Sequence, residues 1–226
     1  MKRQEIAAES WQQSRLGKFT SSEIHRIFTD PKNKADKEAG LLSDGAETYI
    51  MERVAQILTG QARQIENNWS IEWGNLYEPD AVEILRLLYP DLEYFGKENP
   101  MFFEYGRFSG GSPDAVDKKI VFEIKCPENP ANHVENLLLE TVSDFRSLHK
   151  DYWCQLQMNI ISIAKERNIE LSEMSGRFVS YDPRIEGDNR MKILEIPYDP
   201  EFKKELDLRL AKVEKRFFEI ITKLSI

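Results

Sequence analysis

Two carboxylates and one lysine lie close together near the middle of the chain. Asp114 ends the triplet Ser112-Pro113-Asp114, and nine residues after it come Glu123 and Lys125, separated by one residue. Carboxylate oxygens are ligands that a hard divalent cation such as Mg²⁺ prefers. A lysine beside them could orient or activate a water molecule. These residue types predict a metal-dependent site for cleaving phosphodiesters.

A strand, a turn and a second strand would bring these groups to one place. Residues 119–126 are rich in β-branched and aromatic residues and predict a strand. Successive side chains alternate between faces, so Glu123 and Lys125 share one face with Val121. The other face is apolar and consists of Phe122, Ile124 and Cys126. Residues 107–116 predict the preceding strand. A hairpin of these two strands would place Asp114 close to Glu123.

The spacing also has a plain explanation, because an acid and a lysine two positions apart on a strand can form an ion pair on a surface hairpin. The match is longer than that, since Ser-Pro-Asp at 112–114 is followed by Glu-Ile-Lys-Cys-Pro at 123–127. Here the chain resembles the PD-(D/E)xK nuclease superfamily. Over residues 11–183 it resembles the phage lambda exonuclease family, the YqaJ-type viral recombinases. The resemblance implies an α/β fold with a central mixed β-sheet flanked by helices.

A phosphate-binding site is predicted near the N-terminus. Thr20 and Glu23 fit a capping box, so we expect a helix to begin at Thr20. A helix start favours an anion, and Arg15 could hold a phosphate there beside Ser22. Any capped helix with a nearby arginine would look the same. Segment 11–25 is similar to the family's N-terminal segment, which implies that Arg15 and Ser22 bind the 5′-phosphate of a DNA end.

A third carboxylate, Glu78, ends the segment Trp-Gly-Asn-Leu-Tyr-Glu at 73–78. A helical carboxylate by itself usually faces water. The segment resembles the family's Trp-Gly-x-x-Tyr-Glu, which implies that Glu78 joins Asp114 and Glu123 and helps to bind a second metal ion or its water. The resemblance also implies the backbone carbonyl of Ile124 as a metal ligand.

Two glutamines lie on a helix predicted over residues 149–164. Gln155 and Gln157 are two positions apart and cannot face the same way, whereas Gln155 shares a face with Asn159. A helical glutamine usually contacts water. The family has Gln-x-Gln on the helix after its catalytic strand, which implies that Gln155 touches the scissile or terminal phosphate.

Composition bounds the class of protein. The chain has 226 residues, 41 % hydrophobic and 11 % aromatic, and lacks low-complexity linkers, so we expect a single domain over 1–226. Cys126 and Cys154 are too few for a four-cysteine iron–sulfur cluster and indicate a reducing cytosol. We expect no membrane span and no signal peptide. A net charge of −8 argues against a generic nucleic-acid coat protein but allows an enzyme with a local basic groove.

Periodicity and capping signals predict the remaining elements. We expect a helix capped by Ser43, and a second helix from about Ser70 that kinks or breaks at Pro79. Residues 30–42 are predicted to be a loop, and residues 128–147 a loop followed by a helix.

The resemblance implies a Mg²⁺-dependent 5′–3′ exonuclease that digests one strand of linear double-stranded DNA and leaves 3′ single strands for annealing. It implies two Mg²⁺ ions, with Mn²⁺ as a substitute, and a ring-shaped homotrimer. It also implies a single-strand annealing protein as partner, a phage or prophage origin, and the cytoplasm of a bacterial host.

Two alternatives remain open at the level of sequence. A structure-specific or restriction-type endonuclease would use the same acids and lysine, but it would have no use for a pocket that binds DNA ends. A non-catalytic module that binds DNA ends or another protein could descend from a nuclease, although the intact Asp114, Glu123 and Lys125 argue against it.

Overall fold

The computed structural model describes residues 2–62 and 69–226. Its α-helices in these ranges are α1 (Lys2–Arg15), α2 (Lys34–Glu38), α3 (Asp44–Thr59), α4 (Trp69–Leu88), α5 (Pro130–Leu137), α6 (Val142–Leu148), α7 (Lys150–Arg167) and α8 (Pro200–Lys223). Its strands are β1 (Phe19–Thr20), β2 (Glu93–Tyr94), β3 (Phe103–Glu104), β4 (Ser109–Gly111), β5 (Ala115–Asp117), β6 (Ile120–Lys125), β7 (Ser175–Tyr181) and β8 (Met191–Pro197). Short 3₁₀ helices cover Ser21–Phe28, Leu171–Glu173 and Gly187–Arg190.

The strands of the described residues form two sheets. Five strands pair in the order β2-β5-β6-β7-β8, and three pair in the order β1-β4-β3. In the larger sheet β6 is antiparallel to β5 and parallel to β7. Helices α4 and α7 both contact β6. The predicted α/β fold with a central mixed sheet and flanking helices is therefore confirmed.

The predicted hairpin is present, but the strand before it is not continuous. Strands β5 and β6 pair with Ala115 opposite Phe122, and Lys118 in the turn has a φ of 51°. Residues 107–116 were predicted as one strand and instead form β4 in the smaller sheet and β5 in the larger one. Pro113 lies between them and has no N–H to continue a ladder. Asp114 therefore lies where the chain crosses between the sheets.

Strand β6 is buried on both faces, and its side chains alternate between the two faces as predicted. Val121 packs in a cluster that includes Leu156 of α7. Phe122 and Ile124 pack in a second cluster that includes Leu85 of α4. The strand that carries the predicted site is thus clamped between two helices.

The polar segments were predicted with too few helices. Residues 30–42 contain α2, which Asn33 caps by accepting a hydrogen bond from the Ala35 N–H. Residues 128–147 contain α5 and most of α6, capped by Asn129 and by a capping box at Thr141. Side-chain caps start these short helices although their composition resembles that of loops.

Helix α4 runs from Trp69 to Leu88 without a break at Pro79. Proline removes one helical hydrogen bond. Tyr77 before the proline and Leu85 after it both pack on the same apolar cluster. Packing against this cluster stabilises the helix on both sides of Pro79.

The capping box predicted at Thr20 is absent. The segment Ser21–Phe28 is a 3₁₀ helix, and the Thr20 side chain makes no cap hydrogen bond. The Thr20 N–H donates to the Tyr49 hydroxyl at 2.9 Å, and Glu23 accepts from Arg26 at 3.0 Å. The Thr20 N–H and the Glu23 carboxylate therefore each have a partner other than the one that a capping box requires. The cap predicted at Ser43 is confirmed.

Candidate active site

Asp114, Glu123 and Lys125 meet at the hairpin of β5 and β6. The Lys125 ammonium donates to Glu123 Oε1, and the Ile124 N–H donates to Asp114 Oδ2 at 2.6 Å. The Glu123 side chain is 0 % exposed, whereas that of Lys125 is 27 % exposed. The site is therefore buried at Glu123, half-buried at Asp114 and reachable from solvent at its lysine.

Glu78 of α4 reaches the same site. Its Oε1 accepts a hydrogen bond from the Tyr94 hydroxyl at 2.9 Å. Tyr94 lies on β2, where it pairs with Ala115, the residue after Asp114. The charge of Asp114 acts on Glu78 strongly enough to raise its pKa. We call Glu78, Asp114 and Glu123 together the acidic cluster.

The acidic cluster holds more negative charge than its surroundings neutralise. Burial, and then repulsion from Asp114, raises the pKa of Glu78 and that of Glu123 to about 8, from an ordinary value of 4.5. Burial also raises the pKa of Asp114, against the opposing effects of Lys125 and the Ile124 N–H. A bound cation would relieve this repulsion.

Lys125 is held as an ammonium. Burial by itself lowers its pKa, but the charges of Glu123 and Asp114 outweigh burial, and the pKa is raised. Its Nζ also lies 4.8 Å from the centroid of the Tyr152 ring, a favourable cation–π distance. The lysine is thus fixed between a carboxylate and an aromatic face.

The acidic cluster fits a hard divalent cation by ligand type and by charge. Its carboxylates are nevertheless turned toward protein donors: the Ile124 N–H, the Lys125 ammonium and the Tyr94 hydroxyl. In the described part of the chain, no group of three or more histidine, cysteine, aspartate or glutamate side chains is arranged so that it could hold a metal ion. Binding an ion would therefore require these side chains to rotate away from their present donors.

Asn159 is a site residue that the sequence did not single out. It is buried on α7, and its Nδ2 donates to Glu123 Oε2 at 3.2 Å. The available signal was its position four residues after Gln155, on the same helical face. Tyr94 was likewise missed, because nothing in the sequence links β2 to α4.

Arg15 and Ser22 come together as predicted. Arg15 Nη2 lies 3.4 Å from Ser22 Oγ, and its guanidinium stacks 4.1 Å from the Trp11 ring. Trp11 Nε1 donates to Ser112 Oγ at 3.1 Å, across 101 residues of sequence. Ser112 is two residues before Asp114. The Arg15–Ser22 pair is therefore connected, through Trp11, to the segment that carries Asp114. Burial lowers the pKa of Arg15.

The two glutamines of α7 have different environments. Gln155 is half-buried and lies on the helical face between Tyr152, which contacts Lys125, and Asn159, which contacts Glu123. Gln157 is buried, donates to the Pro197 carbonyl at 2.8 Å and accepts from the Asp199 N–H at 2.9 Å. Gln157 thus fixes the junction of β8 and α8, and Gln155 is the glutamine next to the site.

Comparisons with known proteins agree with this geometry. The family model of the YqaJ-like viral recombinase domain matches residues 10–166. The chain is similar to an alkaline exonuclease (LHK-Exo) from Laribacter hongkongensis, with 23 % identity, a TM-score of 0.68, and coverage of 96 % of this chain and 98 % of that one. LHK-Exo in complex with dAMP gives 23 % identity, a TM-score of 0.66 and the same coverage, 96 % and 98 %.

A phage related exonuclease from Haemophilus somnus 129PT is 20 % identical, with a TM-score of 0.69 and coverage of 92 % of this chain and 96 % of that one. No curated protein sequence matches the chain. No helix in residues 2–62 and 69–226 is long and apolar enough to cross a membrane.

The family match spans well over half of the 226 residues and includes the acidic cluster, Lys125 and the Arg15–Ser22 pair. The structural likeness extends further, over β7, β8 and α8. The chain therefore belongs to the YqaJ-like viral recombinase domain family and has the PD-(D/E)xK nuclease fold.

Proposed function

We propose that the protein is a Mg²⁺-dependent 5′–3′ exonuclease that digests one strand of linear double-stranded DNA and leaves 3′ single strands. The observation that carries the proposal is the link between two groups of side chains. The acidic cluster with Lys125 has the composition of a hydrolytic site, and the Arg15–Ser22 pair is attached to it through Trp11 and Ser112. A nuclease that starts at DNA ends needs both groups close together.

Each residue has a proposed role. Asp114, Glu123 and the Ile124 carbonyl would hold Mg²⁺, or Mn²⁺ in its place, with Glu78 serving a second ion or its water. A bound divalent ion supplies Lewis-acid stabilisation of charge on the attacking and leaving oxygens. Lys125 orients the attacking water as an ammonium, because its raised pKa leaves it no free electron pair with which to take a proton. Its ammonium is already fixed at the cluster by Glu123.

Phosphate binding sets the proposed polarity. Arg15 and Ser22 would hold the 5′-phosphate of the DNA end, and Gln155 would touch the scissile or terminal phosphate. Burial and stacking on Trp11 preorient the guanidinium for bidentate binding. LHK-Exo, which shares this fold, has been solved with the mononucleotide dAMP, and a mononucleotide is what stepwise digestion would release.

The biological setting follows from the family. We include in the proposal a homotrimeric ring around DNA, a single-strand annealing protein as partner, and action in the cytoplasm of a bacterial host on behalf of a phage or prophage. Membership of a viral recombinase family supports the recombination role. Light scattering on the purified protein would measure the proposed trimer directly.

The test uses linear duplex DNA labelled at either the 5′ or the 3′ end, with Mg²⁺ or with EDTA. We expect the 5′ label to be released first, the 3′-labelled strand to persist as single-stranded DNA, and EDTA to stop both processes. First release of the 3′ label would overturn the polarity. Cleavage of closed circular duplex would indicate an endonuclease, and no cleavage of any substrate would indicate a binding module.

A further inference from the structure

Asn159 holds the oxygen of Glu123 that Lys125 does not contact. Its Nδ2 donates to Glu123 Oε2 at 3.2 Å, while the Lys125 ammonium donates to Oε1. Glu123 and Asn159 are both 0 % exposed. Both oxygens of the Glu123 carboxylate are therefore oriented by protein side chains, and one of the two, Asn159, is fully buried.

Donating to Glu123 leaves the other end of the amide without a partner. Asn159 Oδ1 is a buried oxygen with no hydrogen bond among the described residues. An unsatisfied buried polar atom costs about 1–3 kcal/mol. An apolar residue of the same shape would avoid this cost but would leave Glu123 Oε2 without its donor, so the value of the asparagine lies in what its Nδ2 does.

Strand β4 leaves space for this side chain. A Cβ placed on Gly111 would lie 2.2 Å from Asn159 Oδ1 and 3.3 Å from Asn159 Cα. Gly111 does not have a positive φ, so the glycine is needed for space and not for backbone conformation. The amide of Asn159 is thus wedged between β4 and Glu123 in a single orientation.

We propose that Asn159 is a positioning residue that holds the Glu123 carboxylate for a divalent cation. The inference rests on the proposed metal-dependent function. Residues that hydrogen-bond to metal ligands orient them, and their loss typically weakens metal affinity or activity by about 10–100-fold.

The experiment measures Mn²⁺ binding by titration calorimetry, together with unfolding of the same proteins in EDTA. Asn159→Leu keeps the side-chain shape and removes both the donor and the unsatisfied oxygen. We expect its Mn²⁺ affinity to fall by about 10–100-fold. Its unfolding in EDTA should stay cooperative, which shows that the variant folds although Glu123 Oε2 has lost its donor. Asn159→Ala, which introduces no added bulk, should show the same loss of affinity.

Ser162→Ala is the matched control. Ser162 lies on the same helix, is also 0 % exposed, and its Oγ is likewise without a hydrogen bond in the described structure. This variant should bind Mn²⁺ as the natural chain does.

The outcomes separate the two proposals. Failure of the natural chain to bind Mn²⁺ would overturn the proposed metal site. Binding by the natural chain with unchanged affinity in both Asn159 variants would overturn the positioning role alone. Equal losses in Ser162→Ala and Asn159→Leu would also overturn it, because the effect would then belong to the helix as a whole.

Discussion

At the scale of single residues, the protonation and position of Lys125 depend on the side chains around it. Carboxylates raise its pKa against the effect of burial, and the Tyr152 ring limits its movement. It is the ammonium that the acidic cluster contacts directly. Removing it would take away a group that can touch the attacking water while leaving the Arg15–Ser22 pair intact.

Lys125→Ala should therefore lower the single-turnover rate of digestion by about 10²–10⁴-fold, the usual contribution of a positioned acid or base. Binding to a DNA end, measured by fluorescence anisotropy with Ca²⁺ in place of Mg²⁺, should persist. Lys119→Ala is the control, because Lys119 lies on the same hairpin and pairs with the exposed Glu173. A rate equal to that of the control would contradict the role of Lys125.

The raised pKa values of Glu78 and Glu123 predict how the metal-free protein responds to pH. Each carboxyl has a pKa of about 8 in the folded state and an ordinary value of 4.5. Between pH 4.5 and about 8 the folded chain therefore binds more protons than the unfolded chain. The free energy of unfolding should fall as pH rises through this window. Urea unfolding in EDTA across the window would measure this slope.

Glu78→Gln provides the comparison for that slope. The variant lacks one of the two carboxyls, so its stability should depend less steeply on pH than that of the natural chain. Mn²⁺ affinity should also rise with pH over the same window, because the ion displaces protons. Parallel pH curves for the two proteins would show that Glu78 does not titrate as described.

At the scale of elements, a buried hydrogen-bond network joins α5, the start of α7 and β7. The Asn189 carbonyl can only accept, so His133 Nε2 donates to it at 2.9 Å and His133 Nδ1 accepts from the Ser180 hydroxyl at 2.8 Å. Ser180 Oγ then accepts from Asn136 Nδ2 at 2.9 Å, and Asn136 Oδ1 accepts from His149 Nε2 at 2.6 Å. This network fixes α5 and the start of α7, which follow strand β6, against β7. The His149 ring also stacks on Tyr152.

Ser180→Ala should lower the free energy of unfolding by about 1–3 kcal/mol, because it leaves buried partners on both sides without a hydrogen bond. Chemical denaturation would measure the change. Ser162→Ala, which removes a hydroxyl without a partner in the described structure, should cost less than Ser180→Ala. Equal losses of unfolding free energy in the two variants would mean that the hydrogen bonds of Ser180 add nothing to the cost of removing a buried hydroxyl group.

At the scale of the whole molecule, strand β6 depends on residues beyond the family match. The match ends at residue 166, within α7. Strand β7 then pairs with β6 along its whole length, from Ile120 opposite Ser175 to Lys125 opposite Ser180. The likeness to solved exonucleases covers 96 % of the chain, so this C-terminal part belongs to the common fold. The N-terminal part of the chain contacts the residues just before β5, because Trp11 donates a hydrogen bond to Ser112.

Because the Arg15–Ser22 pair is attached to the site, its loss should affect one kind of DNA end most. Arg15→Ala should slow digestion of 5′-phosphorylated duplex by about tenfold or more, the value of a charge-assisted hydrogen bond, and change 5′-hydroxyl ends little. Arg146→Ala is the control, since Arg146 stacks 4.0 Å from Trp153 in the same manner as Arg15 on Trp11. Equal slowing on both kinds of end would remove the phosphate-binding role.

The sequence by itself determined the hairpin and the alternation of side chains along its second strand. Strand alternation is a local property, so Glu123 and Lys125 had to share a face, and a tight turn had to return the chain beside Asp114. It also determined helices with strong signals, such as the Ser43 cap of α3. The short helices α2 and α5 were not predicted, because side-chain caps outweigh composition at those positions. Helix α4 does not break at Pro79, because it packs on the same apolar cluster before and after the proline.

Only the tertiary structure decided what surrounds the hairpin. Three hydrogen bonds join residues that are far apart in the sequence. They link Glu78 to Tyr94, Asn159 to Glu123, and Trp11 to Ser112, across separations of 16, 36 and 101 residues. Such contacts depend on how helices pack on the sheet and on the space left at Gly111, and no local pattern encodes that packing. The chain's local rules thus place two acids and a lysine, and packing surrounds them with the groups that orient them.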